Sequence, residues 1–244
     1  MAHALAVAGS AVAVVDVDLD SAHRVADEIH AASGVRCSGF EGDVSDEAAV
    51  ARAVSLVDGD LGAPSILVNN AGFMAPRLVA TEALTASEFD RMLAVHVRGA
   101  FLMSSAVLPG MKARRFGRIV NLSSIVGLIG FSFRAGYSAA KSAIVGFTRG
   151  LALETARHGI TVNAIAPGFV LTEGLRARID SGLLDHDVLA QWTPVGRWAQ
   201  PAEIARVACF LADPASSYIT GTTIPVDGGF SIRGDPNELS GAIS

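Results

Sequence analysis

One stretch of the sequence decides both the fold and the candidate chemistry: residues 118–141, RIVNLSSIVGLIGFSFRAGYSAAK. Its first six residues form a β-type run that ends at Ser123 and is followed by Ser124. A helical pattern then starts at residue 135 and continues to residue 158, where Gly159 stands at the position of a helix C-cap. A strand followed closely by a long helix is the repeating unit of an open α/β sheet.

Outward from this unit, β-type runs alternate with helical segments along the whole chain. The other predicted strands are residues 11–15, 35–41, 65–69, 160–166 and 223–226, and the other predicted helices are 21–33, 46–57, 87–112 and 201–211. Most of the strands are apolar on both faces, as expected where helices cover both sides of a parallel sheet. We therefore expect a Rossmann-like, doubly wound α/β fold, with one domain over residues 1–230 and a polar C-terminal tail at 231–244.

The candidate chemistry lies in Ser124, Tyr137 and Lys141. Tyr137 and Lys141 are four residues apart on the predicted helix, which puts them on one face, one turn apart. A free tyrosine has a pKa near ~10, and a neighbouring ammonium lowers that pKa toward the range of a general acid or base. Ser124 follows the strand at the carboxyl edge of the sheet, where its hydroxyl could hold a carbonyl or alcohol oxygen. Taken alone, the Tyr–Lys pair also suits an exposed surface, and Ser124 also suits a turn.

Five motifs place these residues in a wider pattern. They are NNAG at 69–72, RIVNLSSIVG at 118–127, YSAAK at 137–141, VNAIAPGFVLT at 162–172 and PVDGG at 225–229. In this order and at these spacings they resemble the short-chain dehydrogenases/reductases, over nearly the whole chain. The resemblance implies hydride transfer between a nicotinamide cofactor and a secondary alcohol or ketone. It makes Tyr137 the general acid/base, gives Lys141 the roles of lowering its pKa and binding the nicotinamide ribose, and gives Ser124 the role of orienting the substrate oxygen.

The cofactor expectation starts from Asp16, at the end of the first predicted strand. A carboxylate there can accept both ribose hydroxyls of NAD and repels the 2′-phosphate of NADP. Neither Val17 nor Asp18 offers a cation to that phosphate, so NAD is expected rather than NADP; a turn aspartate is the structural alternative. The resemblance adds contacts to adenine, to the adenosine ribose and to the carboxamide, in that order: Asp43 and Val44; Asn69, Ala71 and Gly72; Pro167, Gly168, Val170 and Thr172.

The beginning of the chain departs from the family pattern. Family members open with a strand, a TGxxxGxG loop and a helix, whereas residues 4–9 (ALAVAG) already resemble the end of that helix. We expect about 15–20 residues of the pattern to be missing, including the first strand and the loop whose N–H groups hold the pyrophosphate. Direct pairing of the flanking strands, a strand from another subunit, or a start codon further upstream would each account for this.

The second departure is His96, in MLAVHVRGAF at residues 92–101. The family usually has Asn here, within a kink of the long helix, as an anchor for a water in the proton relay. A neutral imidazole also offers one donor and one acceptor. His96 is therefore a candidate catalytic residue, with a plain core or surface histidine as the alternative.

Charge and composition exclude several classes of function. The net charge of −5 and the pI near 5.6 give no electrostatic attraction to nucleic acid or to an anionic membrane. No uninterrupted apolar run approaches the ~20 residues that span a bilayer, and no signal-peptide pattern opens the chain. Cys37 and Cys209 form no CxxC pair, and the histidines show no metal-ligand spacing, so we expect a cytoplasmic protein without a metal site.

Substrate and assembly are less constrained. The predicted lid at 171–199 contains several leucines together with Trp192 and Trp198, which indicates a partly apolar pocket, with Phe73, Met74 and Pro76 on its other side. The family resemblance implies a homotetramer or homodimer through the helices at 87–112 and 135–158. The alternative function is a non-catalytic relative that binds cofactor poorly and acts as a scaffold, oligomer partner or sensor. A serine hydrolase is excluded, because GFSFR at 130–134 lacks the second glycine of GxSxG.

Overall fold

The computed structural model describes residues 1–73, 78–182 and 185–233. Met74 and Pro76, which were expected on the substrate wall, lie outside the described residues. So does most of the predicted tail, of which only residues 231–233 are described.

The described residues contain six parallel strands, at the positions that the sequence predicts. They are β1 (Val12–Asp16), β2 (Cys37–Glu41), β3 (Ile66–Asn69), β4 (Gly117–Leu122), β5 (Ile160–Pro167) and β6 (Thr223–Val226). Strand β1 pairs only with β2, whereas the other four form one sheet in the order β3-β4-β5-β6. The result is a Rossmann-like sheet that is divided between β1 and β3.

Nine α-helices flank these strands in the described part of the chain. They are α1 (Ala2–Val7), α2 (Leu19–Ser33), α3 (Glu47–Leu61), α4 (Ala86–Leu93), α5 (Gly99–Arg114), α6 (Ala135–Thr155), α7 (Glu173–Asp180), α8 (His186–Gln191) and α9 (Pro201–Ala212). Helices α3, α5 and α6 pack on one face and α1, α2 and α9 on the other. The predicted lid contains α7 and α8, which the sequence pattern did not resolve as helices.

Local signals explain where the helices begin and end. Asp46 caps α3 by accepting a hydrogen bond from the Ala49 N–H. Helix α6 continues into a 3₁₀ turn (Ala156–His158), which Gly159 ends in the left-handed conformation with φ of 72°. Helix α2 begins two residues earlier than predicted, because the Asp18 carboxylate accepts the Ser21 N–H and so acts as the cap.

The core is concentrated around β4 and β5. Every residue of β4 is buried, as are all residues of β5 except Pro167. Strands β1 and β3 each contain a single buried residue. Alternation along each strand points the N–H groups of Ala13 and Val15 away from β2, and those of Ile66 and Val68 away from β4. Direct pairing of β1 with β3, one of the three arrangements expected from the sequence, is therefore absent from the described residues.

The long predicted helix at 87–112 is interrupted at the kink that the family pattern places there. Residues 86–114 comprise α4, a five-residue π-helix (Ala94–Arg98) and α5. By length and composition this run could cross a membrane. Helix α5 packs on β3, β4 and α3, and this packing accounts for its apolar composition.

Candidate active site

Loops from both sheets meet at the carboxyl edge of the strands. A small cavity there is lined by Val44 after β2, by Asn69 and Ala71 at the end of β3, and by His96 and Lys141. Five of the residues predicted for catalysis or cofactor binding thus share one cavity. The shared edge follows from the parallel arrangement, because all carboxyl ends point the same way.

The Ser124–Tyr137 pair is built by the turn that follows β4. Ser124 starts a short 3₁₀ turn (Ile125–Gly127), and its hydroxyl lies close enough to Tyr137 on α6 to lower the pKa of the phenol. The turn lies so close to α6 that a Cβ on Gly127 would stand 2.7 Å from the Lys141 carbonyl carbon. The Ser123 hydroxyl fixes the same approach by donating to the Lys141 carbonyl at 2.9 Å. Only glycine at position 127 therefore lets α6 come close enough to join the pair.

Lys141 is buried under Tyr137. Its side chain is 5% exposed, its Nζ lies 5.7 Å from the Tyr137 ring centroid, and Nζ donates to the Leu122 carbonyl at 2.7 Å. Burial lowers the pKa of Lys141 to about 8. The ammonium is thus held by a backbone carbonyl, at the end of β4 and next to the cavity.

The pKa of Tyr137 is raised in this structure, whereas the sequence predicted that a neighbouring cation would lower it. Burial raises this pKa and is the largest effect; the Arg134 guanidinium and the hydrogen bond with Ser124 oppose it. Lys141 was expected to lower the Tyr137 pKa, but in this structure the cation that does so is Arg134. The sequence analysis did not predict this effect of Arg134. A basic residue one turn before the tyrosine was the signal that could have indicated it.

His96 lies in the π-helix, with its ring 5.5 Å from that of Tyr137 in an edge-on arrangement. It is 4% exposed, and its Nε2 lies 2.9 Å from the Phe73 carbonyl oxygen. Burial and the charge of Lys141 lower the pKa of His96 to about 4, so the imidazole is neutral. Its Nδ1 is buried and has no hydrogen-bond partner among the described residues. A neutral ring that donates through Nε2 leaves Nδ1 as an acceptor.

The residues predicted near the adenosine are brought together only in part. Val44 packs against Gly99, where a Cβ would stand 2.8 Å from the Val44 Cγ2 atom. The Asn69 side chain donates to the Asn121 amide oxygen at 2.8 Å, which commits it to a buried contact between β3 and β4. Hydrogen bonds from the Ser45 hydroxyl and N–H hold the pKa of Asp43 below its usual value. Gly72 lies under His96, since a Cβ there would stand 2.4 Å from the ring Cε1.

The remaining predicted contacts lie on both sides of the cavity. Asp16 ends β1 with an exposed carboxylate that accepts the Asp18 N–H at 3.0 Å. On the other side, Pro167 ends β5, the Gly168 N–H donates to the Val226 carbonyl at 3.0 Å, and Val170 forms a bridge with Ala199. Thr172 caps α7 and lines an open pocket with neighbouring lid residues.

A phenol next to a serine hydroxyl and a buried amine can exchange a proton with an alcohol or carbonyl oxygen. At the carboxyl edge of a parallel α/β sheet, this arrangement defines an oxidoreductase of the dinucleotide-binding class.

The comparisons with known proteins identify the family within this class. The family model described as enoyl-(acyl carrier protein) reductase matches residues 1–231. An acetoacetyl-CoA reductase of Shinella zoogloeoides is 43% identical over 190 residues, 78% of this chain and 77% of that protein. The inactive 2-(S)-hydroxypropyl-CoM dehydrogenase 2 of Xanthobacter autotrophicus is 39% identical over 235 residues, 95% of this chain and 99% of that protein.

A solved structure leads to the same family. The gluconate 5-dehydrogenase of Burkholderia cenocepacia, in complex with NADP and tartrate, superposes with a TM-score of 0.88 at 34% identity, over 96% of this chain and 90% of that one. The chain belongs to the short-chain dehydrogenase/reductase family. It is an oxidoreductase of the kind that transfers hydride between a nicotinamide cofactor and an alcohol or ketone.

Proposed function

We propose that the chain reduces a ketone to a secondary alcohol, with Tyr137 as the proton donor. The carrying observation is that Ser124, Tyr137 and Lys141 meet at the carboxyl edge. A raised pKa keeps the phenol protonated at neutral pH, which suits donation to the oxygen of a carbonyl that receives hydride. Ser124 would orient that oxygen, and the Nδ1 of His96 would accept a hydrogen bond from a water that returns a proton to Tyr137.

The residues present fit the two ends of a nicotinamide dinucleotide. Lys141, with Pro167, Gly168, Val170 and Thr172, would hold the nicotinamide end. At the adenosine end the contacts would come from Asp16, Asp43, Val44, Asn69, Ala71 and Gly72. When bound, the reduced nicotinamide supplies the hydride. The phosphates between the two ends would face the divided region between β1 and β3, where the described residues supply no glycine-rich turn.

NAD(H) is the proposed cofactor, because the exposed Asp16 carboxylate opposes a 2′-phosphate. The solved relative was bound to NADP. In this chain α2 contains Arg24, which donates to the Ser21 hydroxyl at 3.0 Å, next to the Asp18 cap. Arg24 would attract the 2′-phosphate of NADP, whereas the Asp16 carboxylate would repel it. We propose that the repulsion by Asp16 is the larger effect, because Asp16 ends the strand itself.

We further propose that the protein is a cytoplasmic homotetramer or homodimer built on α5 and α6. Both helices expose large apolar side chains, with Phe101 of α5 52% exposed and Leu153 of α6 85% exposed. Such groups on adjacent helices suit a symmetric helix interface.

An assay of nicotinamide absorbance against a panel of ketones, with NADH and NADPH in turn, tests the proposal. Replacement of Tyr137 by Phe removes the donated proton and is expected to lower kcat by about 10²–10⁴-fold. Tyr218→Phe is the matched control, because Tyr218 is fully exposed and its loss should leave kcat unchanged. Equal activity in Tyr137→Phe and the parent chain would overturn the assignment.

A second candidate function is a family member impaired in cofactor binding, which acts as a scaffold, oligomer partner or sensor. Two observations favour it: the sheet is divided where the phosphates would bind, and the relative matched over 99% of its length is named inactive. Calorimetric titration with NADH separates the candidates. Micromolar affinity supports the enzyme, and no measurable binding to either nucleotide supports the impaired relative.

A further inference from the structure

Phe133 lies in the loop between Ser124 and Tyr137 and has an unusual backbone conformation. Its φ is 62°, in the left-handed region that bulky side chains rarely adopt. This conformation is unfavourable for a residue with a Cβ and persists only where the surrounding structure imposes it. Here the Phe133 carbonyl accepts the Val79 N–H at 3.4 Å, which fixes the loop to the segment before α4. Glycine would fit this backbone better, so the phenylalanine needs another explanation.

The other non-glycine residue with a positive φ in the described part of the chain has a local explanation. Arg115, with φ of 54°, is the C-cap of α5, and its N–H donates to the last carbonyls of that helix. A left-handed residue is a common way to end a helix. Phe133 ends no helix, so this explanation does not apply to it.

Packing within the described chain does not explain the Phe133 ring either. Phe133 is 60% exposed, and its ring makes no aromatic contact with another described residue. Phe131, two residues earlier, is different, because it stacks on Phe230 at 5.6 Å and meets Phe169 at 6.5 Å. One phenylalanine of the loop therefore anchors it to the segments after β5 and β6, whereas the other exposes its ring to solvent.

The position of Phe133 is at the edge of the candidate active site. Its loop leads directly into the first turn of α6, which contains Tyr137. Its hydrogen-bond partner Val79 comes six residues after Phe73, whose ring lies 5.5 Å from that of His96, and the His96 ring lies 5.5 Å from that of Tyr137. The hydrogen bond between Phe133 and Val79 thus joins two segments of the chain that flank the phenol.

We propose that the Phe133 ring contacts an apolar substituent of the substrate, so that the chain prefers ketones with an aryl or extended alkyl group. The inference rests on the proposed function, because it places the reacting carbonyl at Ser124 and Tyr137. Leu78, which precedes Val79 and is 54% exposed, would cover the same substituent from the other segment. Such contacts remove apolar surface from water, which favours an apolar group and gives a charged or hydroxylated one no gain.

The test compares two ketones that differ by a phenyl group, butanone and 4-phenyl-2-butanone. We expect the phenyl ketone to exceed butanone in kcat/KM by about tenfold or more, and Phe133→Gly to lower this ratio by about tenfold. Phe133→Leu keeps an apolar side chain and should recover part of the ratio. Phe210→Gly removes a phenylalanine of α9 that is 52% exposed, and it should leave the ratio unchanged.

Urea unfolding of the same variants separates substrate contact from a structural role. Glycine adopts a positive φ without strain, so Phe133→Gly should leave the urea midpoint unchanged or raise it. The same substitution within a helix, Phe210→Gly, should lower the midpoint. A midpoint that falls as far in Phe133→Gly as in Phe210→Gly would show that the ring packs within the chain, and would overturn the inference.

The kinetic ratio also distinguishes this inference from the proposed function. A ratio that is the same in Phe133→Gly and the parent, or a parent that does not prefer the phenyl ketone, contradicts the inference and leaves the proposed function intact. If neither ketone turns over, the proposed function fails instead. Saturation-transfer NMR with 4-phenyl-2-butanone then still tests Phe133: we expect phenyl signals that are saturated by the parent and lost with Phe133→Gly, and equal saturation would contradict the contact.

Discussion

The two halves of the sheet differ in how completely they are paired. Strand β4 is paired on both sides and wholly buried, and it delivers Ser124 to a tyrosine held in place by Gly127 and Ser123. Strands β1 and β3 are each paired on one side and are mostly half-buried, although they deliver Asp16 and Asn69 to the same edge. The proposed proton-transfer half is thus built on a continuous sheet, whereas the proposed nucleotide half spans β1 and β3, which are not paired with each other in this structure.

This difference indicates that the two proposed halves of the site are supported by different packing. The Ser–Tyr–Lys group depends on one βα unit and short-range packing. The proposed nucleotide contacts depend on two separate sheets, which α3 connects on one face and α1 on the other, through α5 and α9 respectively. Stability and cofactor affinity should therefore respond to different changes.

The largest expected effect concerns hydrogen exchange of the two halves. The N–H groups of Ala13, Val15, Ile66 and Val68 point away from their only partner strand, so they should exchange about 100-fold faster than the central amides of β4 and β5. Mass spectrometry of short peptides, or NMR, measures this on the intact chain. Equal protection would mean that β1 and β3 are paired on both sides in solution, with each other or with another strand. The two halves of the sheet would then not differ in their pairing.

The next effect concerns His96, at the boundary between the halves. Its pKa is about 4 in the folded chain and 6.5 without the fold, so the unfolded chain binds more protons between these values. Stability is then fully present above pH 6.5 and is lost as the pH falls toward 4, by about 2 kcal/mol at about pH 5. Urea unfolding at a series of pH values should show this loss in the parent chain and in His3→Asn, whose histidine is exposed, but not in His96→Asn. The same slope in His96→Asn would place the titration elsewhere.

The smallest effect concerns the nucleotide half alone. Asp16→Asn removes the carboxylate that opposes a 2′-phosphate, so we expect the preference for NADH over NADPH to fall roughly tenfold, with kcat for the better nucleotide little changed. Asp20→Asn, an exposed acid of the first turn of α2, is the matched control. Nucleotide dissociation constants from calorimetry provide the measurement. A preference that does not move would show that Asp16 is only a turn residue.

The sequence predicts the fold well because its main signals are local. Apolar runs placed all six described strands within two residues at each end, and Gly159 marked the end of the longest helix. The sequence could also predict that several site residues share one cavity, because the carboxyl ends of parallel strands lie at the same edge. The residues that do so are Val44, Asn69, Ala71, His96 and Lys141. The effect of Arg134 on Tyr137 could not be predicted, because it depends on how far a loop side chain is buried. Nor could spacing show that burial outweighs the charge near Tyr137, or that β1 and β3 stay apart.

The contact between Gly72 and the His96 ring constrains how this site can evolve. Any side chain at position 72 collides with the imidazole, so position 72 cannot change while the histidine is present. A substitution of Gly72 becomes tolerable only after His96 has been exchanged for a smaller residue, and the order of the two events matters. Deep mutational scanning should therefore find strong epistasis between these two sites, 24 positions apart in the chain.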